Sequence, residues 1–90
     1  MSHTRKAHIR SVETMITSMF EADETDSLEQ NYLIAKASYD LGLTEDKTCE
    51  FLGILDKLKK ITWDVESGHV LKYGSDAAKE YLDSLDEDSE

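Results

Sequence analysis

Two groups of cationic side chains are the residues of this sequence best suited to bind another molecule. Three cations lie between residues 5 and 10, and three more lie between residues 57 and 60. Grouped cations can contact the phosphates of a nucleic acid. Lysines that end a helix also interact favourably with its dipole, so the second group has a purely structural interpretation as well. The residues concerned are Arg5, Lys6, Arg10, Lys57, Lys59 and Lys60.

Residue patterns for catalysis or metal binding are missing. The single cysteine, Cys49, has no partner for an internal disulfide, and the neighbouring Glu50 would raise the pKa of its thiol. The three histidines lack metal-ligand spacing with that cysteine, and the acidic stretch 23–29 lacks the glycine and terminal glutamate of a calcium loop. No Gly-rich phosphate loop, His-Glu-x-x-His motif or nucleophile elbow occurs. We therefore predict no enzymatic activity, no metal site and no cofactor.

The charge of the chain weighs against a simple nucleic-acid hypothesis. The formal net charge is -10, and residues 75–90 hold seven acids against Lys79 alone, a local balance of -6. A second acidic group lies between residues 21 and 29. A chain of this charge repels DNA at long range unless its cations are segregated or salt screens it.

Length and composition predict one small domain, residues 1–85, followed by an acidic frayed tail, residues 86–90. The 90 residues contain no proline and no internal repeat, and no linker divides them. The N-terminus begins an amphipathic pattern instead of a signal sequence, and no apolar run approaches ~18 residues. We expect a soluble, cytoplasmic protein without a membrane segment.

Apolar residues at spacings of three and four predict two helices in the first half of the chain. The first runs from about Thr4 to Phe20. The second begins at about Leu28, since Ser27 and Gln30 fit a capping box. It is apolar most of the way round, which favours a position between neighbours or partial cover by a second subunit. Its tyrosines, Tyr32 and Tyr39, are predicted to lie in the core and not in an effector pocket.

The sequence Leu41-Gly42-Leu43-Thr44 predicts a tight turn between the second helix and a third. Gly42 can take the left-handed conformation that ends a helix. Thr44 can cap the next helix, and Glu45 and Asp46 place negative charge in its first turn. The third helix then runs from residue 45 to residue 60, with five side chains on its core-facing arc: Thr48, Phe51, Leu52, Leu55 and Leu58.

A change of period after the third helix predicts a β-hairpin at residues 61–73. The strands are residues 61–65 and 69–73, and Gly68 belongs to the turn between them. Trp63, together with Leu71 or Tyr73, is expected to pack the hairpin against the helices. A last short helix follows, capped by Ser75 or Asp76, with an apolar stripe of Ala77, Ala78, Tyr81, Leu82 and Leu85.

This order of elements resembles the winged helix-turn-helix domain over roughly residues 9–85. Residues 74–82 are similar to the segment with which small MarR-like and PadR-like transcriptional regulators leave the wing and enter a C-terminal helix. The predicted fold class is therefore α+β, mainly α, with a three-helix core, a two-stranded hairpin wing and a C-terminal helix. The resemblance implies that helix 45–60 enters the major groove of DNA and that hairpin 61–73 lies along the backbone or minor groove.

The resemblance also implies which residues would contact DNA. Lysines would meet phosphates, an N-terminal basic arm would assist them, and residues near the start of the third helix would reach base edges. The wing tip offers Glu66 and His69 instead of arginine, the commonest reader of guanine. The candidate contact residues are Lys47, Thr48, Glu50, Lys57, Lys59, Lys60, His69, Lys72, Arg5, Lys6 and Arg10.

Three explanations of the acidity lead to two functional hypotheses. The acidic C-terminal helix can face away from DNA if helices one and four form a dimer interface, the source can be saline, or the domain can bind protein instead of nucleic acid. The first hypothesis is a small transcriptional regulator that binds double-stranded DNA as a homodimer. The alternative is an acidic protein-interaction module or DNA-mimicking antagonist that does not bind DNA.

Overall fold

Four helices and three short strands make up the fold, so the chain is α+β and mainly α, as predicted. The computed structural model describes residues 2–88, and within them the side chains of residues 6–85. The elements in chain order are α1 (Ser2–Ala22), β1 (Ser27–Glu29), α2 (Gln30–Leu41), α3 (Glu45–Lys57), β2 (Ile61–Asp64), β3 (His69–Lys72) and α4 (Asp76–Asp88).

The connection between α2 and α3 has the geometry that the sequence predicts. Gly42 lies at φ 68°, in the left-handed region, and its N–H donates to the carbonyl of Ser38 at 3.1 Å. The Thr44 side chain accepts a hydrogen bond from the N–H of Lys47 at 3.2 Å, and so caps α3. These two predictions are confirmed, and together they hold the start of α3 close to the end of α2.

The predicted two-stranded hairpin is wrong in one respect, because it belongs to a three-stranded antiparallel sheet of order β1-β3-β2. β1 pairs with β3, placing Leu28 opposite Val70, and both side chains are buried. The sequence assigned Leu28 to the first turn of a helix. The edge of β3 supplies backbone hydrogen-bonding partners that a local sequence pattern does not show. Pairing with them keeps the chain in the extended conformation through residue 29.

The predicted capping box is also wrong. Glu29 is the residue that precedes α2, and its side chain makes no capping hydrogen bond. The Gln30 side chain instead accepts a hydrogen bond from Trp63 Nε1 at 2.8 Å, and the Gln30 N–H donates to the carbonyl of Gly68, also at 2.8 Å. The start of α2 is thereby attached to β2 and to the hairpin turn.

The core lies between α1, α2 and α3 and one face of the sheet. Trp63 packs against its edge. Thr62 and Leu71 are cross-strand partners on the other face of the sheet, and both are also buried. α4 packs against this face of β3 through the buried Ala78. The core cluster contains Val12, Ile16, Met19, Phe20, Leu28, Leu33, Ala37, Leu43, Phe51, Leu52, Leu55, Ile61 and Val70.

Boundaries near the third helix and the tail differ from the predictions. α3 ends at Lys57 instead of residue 60, so Leu58, predicted to be core, is 61% exposed. α4 continues to Asp88, into the predicted tail, whereas residues 89 and 90 lie outside the described part of the chain. Within residues 2–88, none of the helices combines the length and the apolarity needed to cross a membrane.

Two glycines are expected to respond oppositely to the same substitution. Gly42→Ala should destabilise the fold by about 1 kcal/mol, because a Cβ is strained at its positive φ. Gly53→Ala should stabilise it by about 0.5 kcal/mol, since Gly53 is inside α3 and the new Cβ would meet the Trp63 ring at an ordinary 3.9 Å. Urea denaturation of both variants measures the two changes in the free energy of unfolding. Equal effects of one sign would contradict the assigned backbone conformations.

Candidate nucleic-acid interface

The two ends of α3 carry opposite charges. Glu45 and Asp46 occupy its first turn, and Lys57 its last. Glu50, a predicted contact residue, is also exposed in the first half of α3. Among the described side chains of that half, Lys47 is the one exposed cation. Lys47 and Lys57 are ten residues apart, or about 15 Å along a helix. Phosphates are therefore repelled by the first half of α3 and attracted by its end.

Thr48 is buried and does not lie on the predicted contact surface. Its side chain is 1% exposed, and its hydroxyl donates a hydrogen bond to the carbonyl of Thr44 at 2.9 Å. The sequence placed this residue both on the core-facing arc and among the base contacts. Only the first assignment is compatible with its burial.

A groove between α1 and the end of α3 brings together cations from distant parts of the sequence. We call it the basic groove. It has a volume of about 320 Å³, and Lys6, Arg10 and Lys60 line it together with one acid, Glu13. The other lining residues are apolar: Ile9, Ile54, Leu55 and Leu58.

Further cations continue from the basic groove. Lys57 and Lys59 lie within three residues of Lys60, and Lys72 pairs across the sheet with Ile61, the next residue after Lys60. We call the whole set the basic end: Lys6, Arg10, Lys57, Lys59, Lys60 and Lys72. The side chain of Arg5, which the sequence also assigned to this set, lies outside the side chains that the structure describes.

Lys59 has an unusual backbone conformation. It lies two residues beyond the end of α3 at φ 63°, in the left-handed region, and the N–H of Lys60 donates to the carbonyl of Leu55 at 2.9 Å across the turn. Helices commonly end in this way, but with glycine, because a Cβ in this conformation costs roughly 1–2 kcal/mol. A lysine therefore occupies a position where glycine would make the fold more stable.

The hairpin carries an acidic surface on the flank that faces α4, whereas its cation Lys72 belongs to the basic end. The Ser67 hydroxyl donates to Asp64 Oδ2 at 2.7 Å, and its oxygen lies 3.1 Å from His69 Nδ1. His69 also faces Glu29 and Asp64 as its cross-strand partners. This half-buried side chain lines a groove of about 410 Å³ between the sheet and α4, and not the tip of the hairpin.

The pKa of Tyr81, in the same groove, reports the local potential. Burial raises the pKa of its phenol above the ordinary value, and the negative charges of Asp64, Asp56 and Glu66 raise it further. The flank of the hairpin that faces α4 therefore carries a negative potential. A phosphate backbone would be repelled there.

The exposed face of α2 is a feature that sequence reasoning missed. Tyr32 is 53% exposed and Tyr39 is 90% exposed, so the prediction that both are core residues is wrong. The helix buries Leu33 and Ala37 instead, and Ala35 lies on the exposed side with the tyrosines. The even spread of apolar residues around α2 was the available signal, but it does not show which side the other helices cover.

A third groove, of about 590 Å³, lies between α1 and α2 beside Met15 and Leu41. Its rim carries an ion pair between Lys36 Nζ and Asp40 Oδ2 at 3.0 Å. The hydrogen bond and the charge of Asp40 raise the pKa of Lys36. No described side chain in this groove carries an unsatisfied buried polar atom that would select a ligand.

The half-buried Cys49 is a poor nucleophile. Burial raises the pKa of its thiol, and the negative charges of Glu45 and Asp46 raise it further. The thiolate is the reactive form, so these contacts slow alkylation and oxidation at neutral pH. Among the described residues, no group of three or more His, Cys, Asp or Glu side chains is placed to hold a metal ion.

Comparison of the chain with models of known families, with curated proteins and with solved structures finds no match.

Proposed function

We propose that the chain is a winged helix-turn-helix domain that binds double-stranded DNA as a small transcriptional regulator. The support is the order of its elements: α2 and α3 joined by a three-residue turn, then a hairpin, with a short strand before α2 that completes the sheet. In such a domain α3 is the recognition helix and the turn at residues 65–68 belongs to the wing.

The observation that carries the proposal is the convergence of cations at the basic end. Three elements contribute to it: the first half of α1, the end of α3 and the end of β3. Phosphate contacts by such cations supply most of the affinity of non-specific DNA binding. The rest of the acidic surface then restricts the orientation in which DNA can approach, because other faces repel it.

The acidic start of α3 limits how this domain can recognise bases. Exposed carboxylates accept hydrogen bonds, and among the amino donors of the major groove their usual partner is that of cytosine. They cannot form the bidentate contact that arginine makes with guanine. We therefore propose that affinity comes from the phosphates at the basic end and that direct base contacts by α3 contribute little.

The test is binding of duplex DNA across a salt series. If all six cations of the basic end contact phosphates, the slope of log K against log salt approaches about -5. We expect a steep loss of affinity between about 50 mM and about 200 mM salt. Absence of binding at the lowest salt, or binding that does not change with salt, would contradict the proposal.

Lys59→Gly separates a phosphate contact from a structural role. Glycine relieves the strain of the left-handed conformation, so we expect the free energy of unfolding to rise by about 1 kcal/mol. Removal of one phosphate contact should also lower the salt slope by about 1. A lysine that only ends the helix would give the gain in stability with DNA binding unchanged, which would remove Lys59 from the interface.

A second candidate function is supported by the exposed face of α2. Tyr32 and Tyr39 are exposed on the same side of α2 as Ala35, and exposed tyrosines are enriched at protein interfaces. Together with the acidic start of α3, this surface would suit a module that occupies the DNA-binding site of a basic protein. The test is whether the chain displaces duplex DNA from such a protein and whether Tyr32→Ala/Tyr39→Ala abolishes the displacement. Displacement without DNA binding by the chain itself would favour this candidate.

A further inference from the structure

We propose that the basic groove receives α4 of a second copy of this chain. The groove combines an apolar floor with a cationic rim, and α4 combines exposed leucines with acids. The proposal does not depend on DNA binding, because it concerns self-association of the protein alone.

The basic groove has the composition expected of a binding site for an acidic amphipathic segment. Ile9, Ile54 and the largely exposed Leu58 supply apolar surface at its floor. Lys6, Arg10 and Lys60 surround this floor, with Glu13 as the one acid in the lining. An apolar centre with a charged rim is the usual organisation of a protein interface, and the rim charges select the partner.

α4 carries the complementary features. Leu82 and Leu85 are each 44% exposed and lie three residues apart, on adjacent turns of the helix. Glu80 and Asp83 are exposed on the same helix, and the sequence continues with Asp86, Glu87 and Asp88. Residues 75–90 carry a local charge of -6. This segment therefore presents both the apolar side chains and the charge that the groove would accept.

The occupant is a second copy because α4 of the same copy is engaged elsewhere. It packs against β3 through the buried Ala78, whereas the lining of the basic groove comes from α1, α3 and the two turn residues Leu58 and Lys60. Each copy has one groove and one α4, so two copies can satisfy each other. Local attraction must then exceed the general repulsion between two chains of charge -10.

DNA and a second copy would compete for the same side chains. Lys6, Arg10 and Lys60 belong both to the basic groove and to the basic end that we propose for DNA. Self-association should therefore weaken when duplex DNA is added in excess, if the DNA proposal is correct. The mass measurement without DNA tests the present inference independently.

The experiment is the mass of the full chain by light scattering and sedimentation over a concentration series. We expect the mass to rise from 10.2 kDa toward twice that value. Leu82→Gln/Leu85→Gln should raise the dissociation constant at least about tenfold, since it removes the apolar part of the contact. Val65→Gln is the matched control, because Val65 is a similarly exposed apolar residue on the hairpin turn. A mass that stays at the monomer up to about millimolar protein, a concentration matching weak affinity, would overturn the proposal.

Asp83→Lys distinguishes local attraction from general repulsion. The substitution removes one negative and adds one positive charge, so the net charge changes from -10 to -8. General repulsion alone would then strengthen self-association, whereas loss of a contact with the basic groove should weaken it about tenfold. Lys60→Glu should weaken it similarly, and the Asp83→Lys/Lys60→Glu variant, again at -10, should recover most of the loss.

Two outcomes of these variants would overturn the proposal. One is stronger self-association of Asp83→Lys. The other is a Lys60→Glu variant that binds DNA more weakly while the mass distribution of the protein is unchanged, which would assign the basic groove to DNA alone. Thermal unfolding of each variant verifies that the comparison is made between folded proteins.

Discussion

Leu52→Ala is expected to lower the free energy of unfolding by about 3 kcal/mol, a value within the range for a leucine truncated inside a packed core. Leu52 is fully buried on α3 and belongs to the cluster shared by the first three helices and the sheet. Its removal leaves a cavity among side chains that contact each other from six different elements. The neighbours cannot close this space without moving a helix or the sheet.

The corresponding loss of thermal stability should be large. A domain of 60–100 residues loses about 4–8 °C of melting temperature per kcal/mol, so we expect a decrease of about 12–24 °C. Urea denaturation followed by circular dichroism gives the free energy, and calorimetry gives the melting temperature. A loss below about 1 kcal/mol would mean that this side chain is not packed as deeply as the structure has it.

Leu58→Ala is the matched control at the residue that follows the same helix. Leu58 was predicted from its spacing to be core, yet it lies beyond the last residue of α3 and is mostly exposed. We expect its truncation to change stability by at most about 0.5 kcal/mol. Equal losses for the two leucines would support the longer helix of the sequence prediction over the helix end at Lys57.

Lys57→Glu/Lys60→Glu is expected to reduce the affinity for duplex DNA by at least about 100-fold at low salt, because two phosphate contacts become two repulsions. Both lysines are exposed at the end of α3, and Lys60 lines the basic groove with Lys6 and Arg10. Neither side chain belongs to the core, so the fold should survive the change. The salt slope should also decrease by about 2.

Lys36→Glu/Lys79→Glu provides the control for this variant. It changes the net charge by the same amount, but Lys36 is on α2 and Lys79 on α4, outside the basic end. The ion pair of Lys36 with Asp40 is exposed on the helix surface and screened by solvent, so its loss should leave the fold intact. We expect this control to bind DNA only slightly more weakly, through the general field. Fluorescence anisotropy with excess DNA measures both variants, and equal losses would mean that net charge, not the basic end, sets the affinity.

The turn between α2 and α3 shows what local sequence can predict. Glycine is favoured at a left-handed position and threonine at a helix start for reasons confined to a few residues. Gly42 and Thr44 accordingly occupy the positions predicted for them. The hairpin at residues 61–72 follows in the same way from the alternation of its side chains and from Gly68 at φ 74°.

β1 shows where local sequence is insufficient. Ser27, Leu28 and Glu29 contain a helix-start pattern, but they bind the free edge of β3, more than forty residues away in the sequence. Tyr32 and Tyr39 were assigned to the core for a similar reason, because periodicity shows that a helix has apolar positions but not how many of its sides are covered.

The sequence by itself determined the mainly helical α+β class, the turn that joins α2 to α3, the hairpin and the imbalance of charge. Each depends on neighbours within a few residues or on composition. Only the tertiary structure decided that Lys6, Arg10 and Lys60 share one groove, that Thr48 belongs to the core and not to the contact surface, and that the α2 tyrosines are exposed. Those outcomes depend on which helix and sheet faces meet, because burial and electrostatic proximity are properties of pairs of elements and not of any one segment.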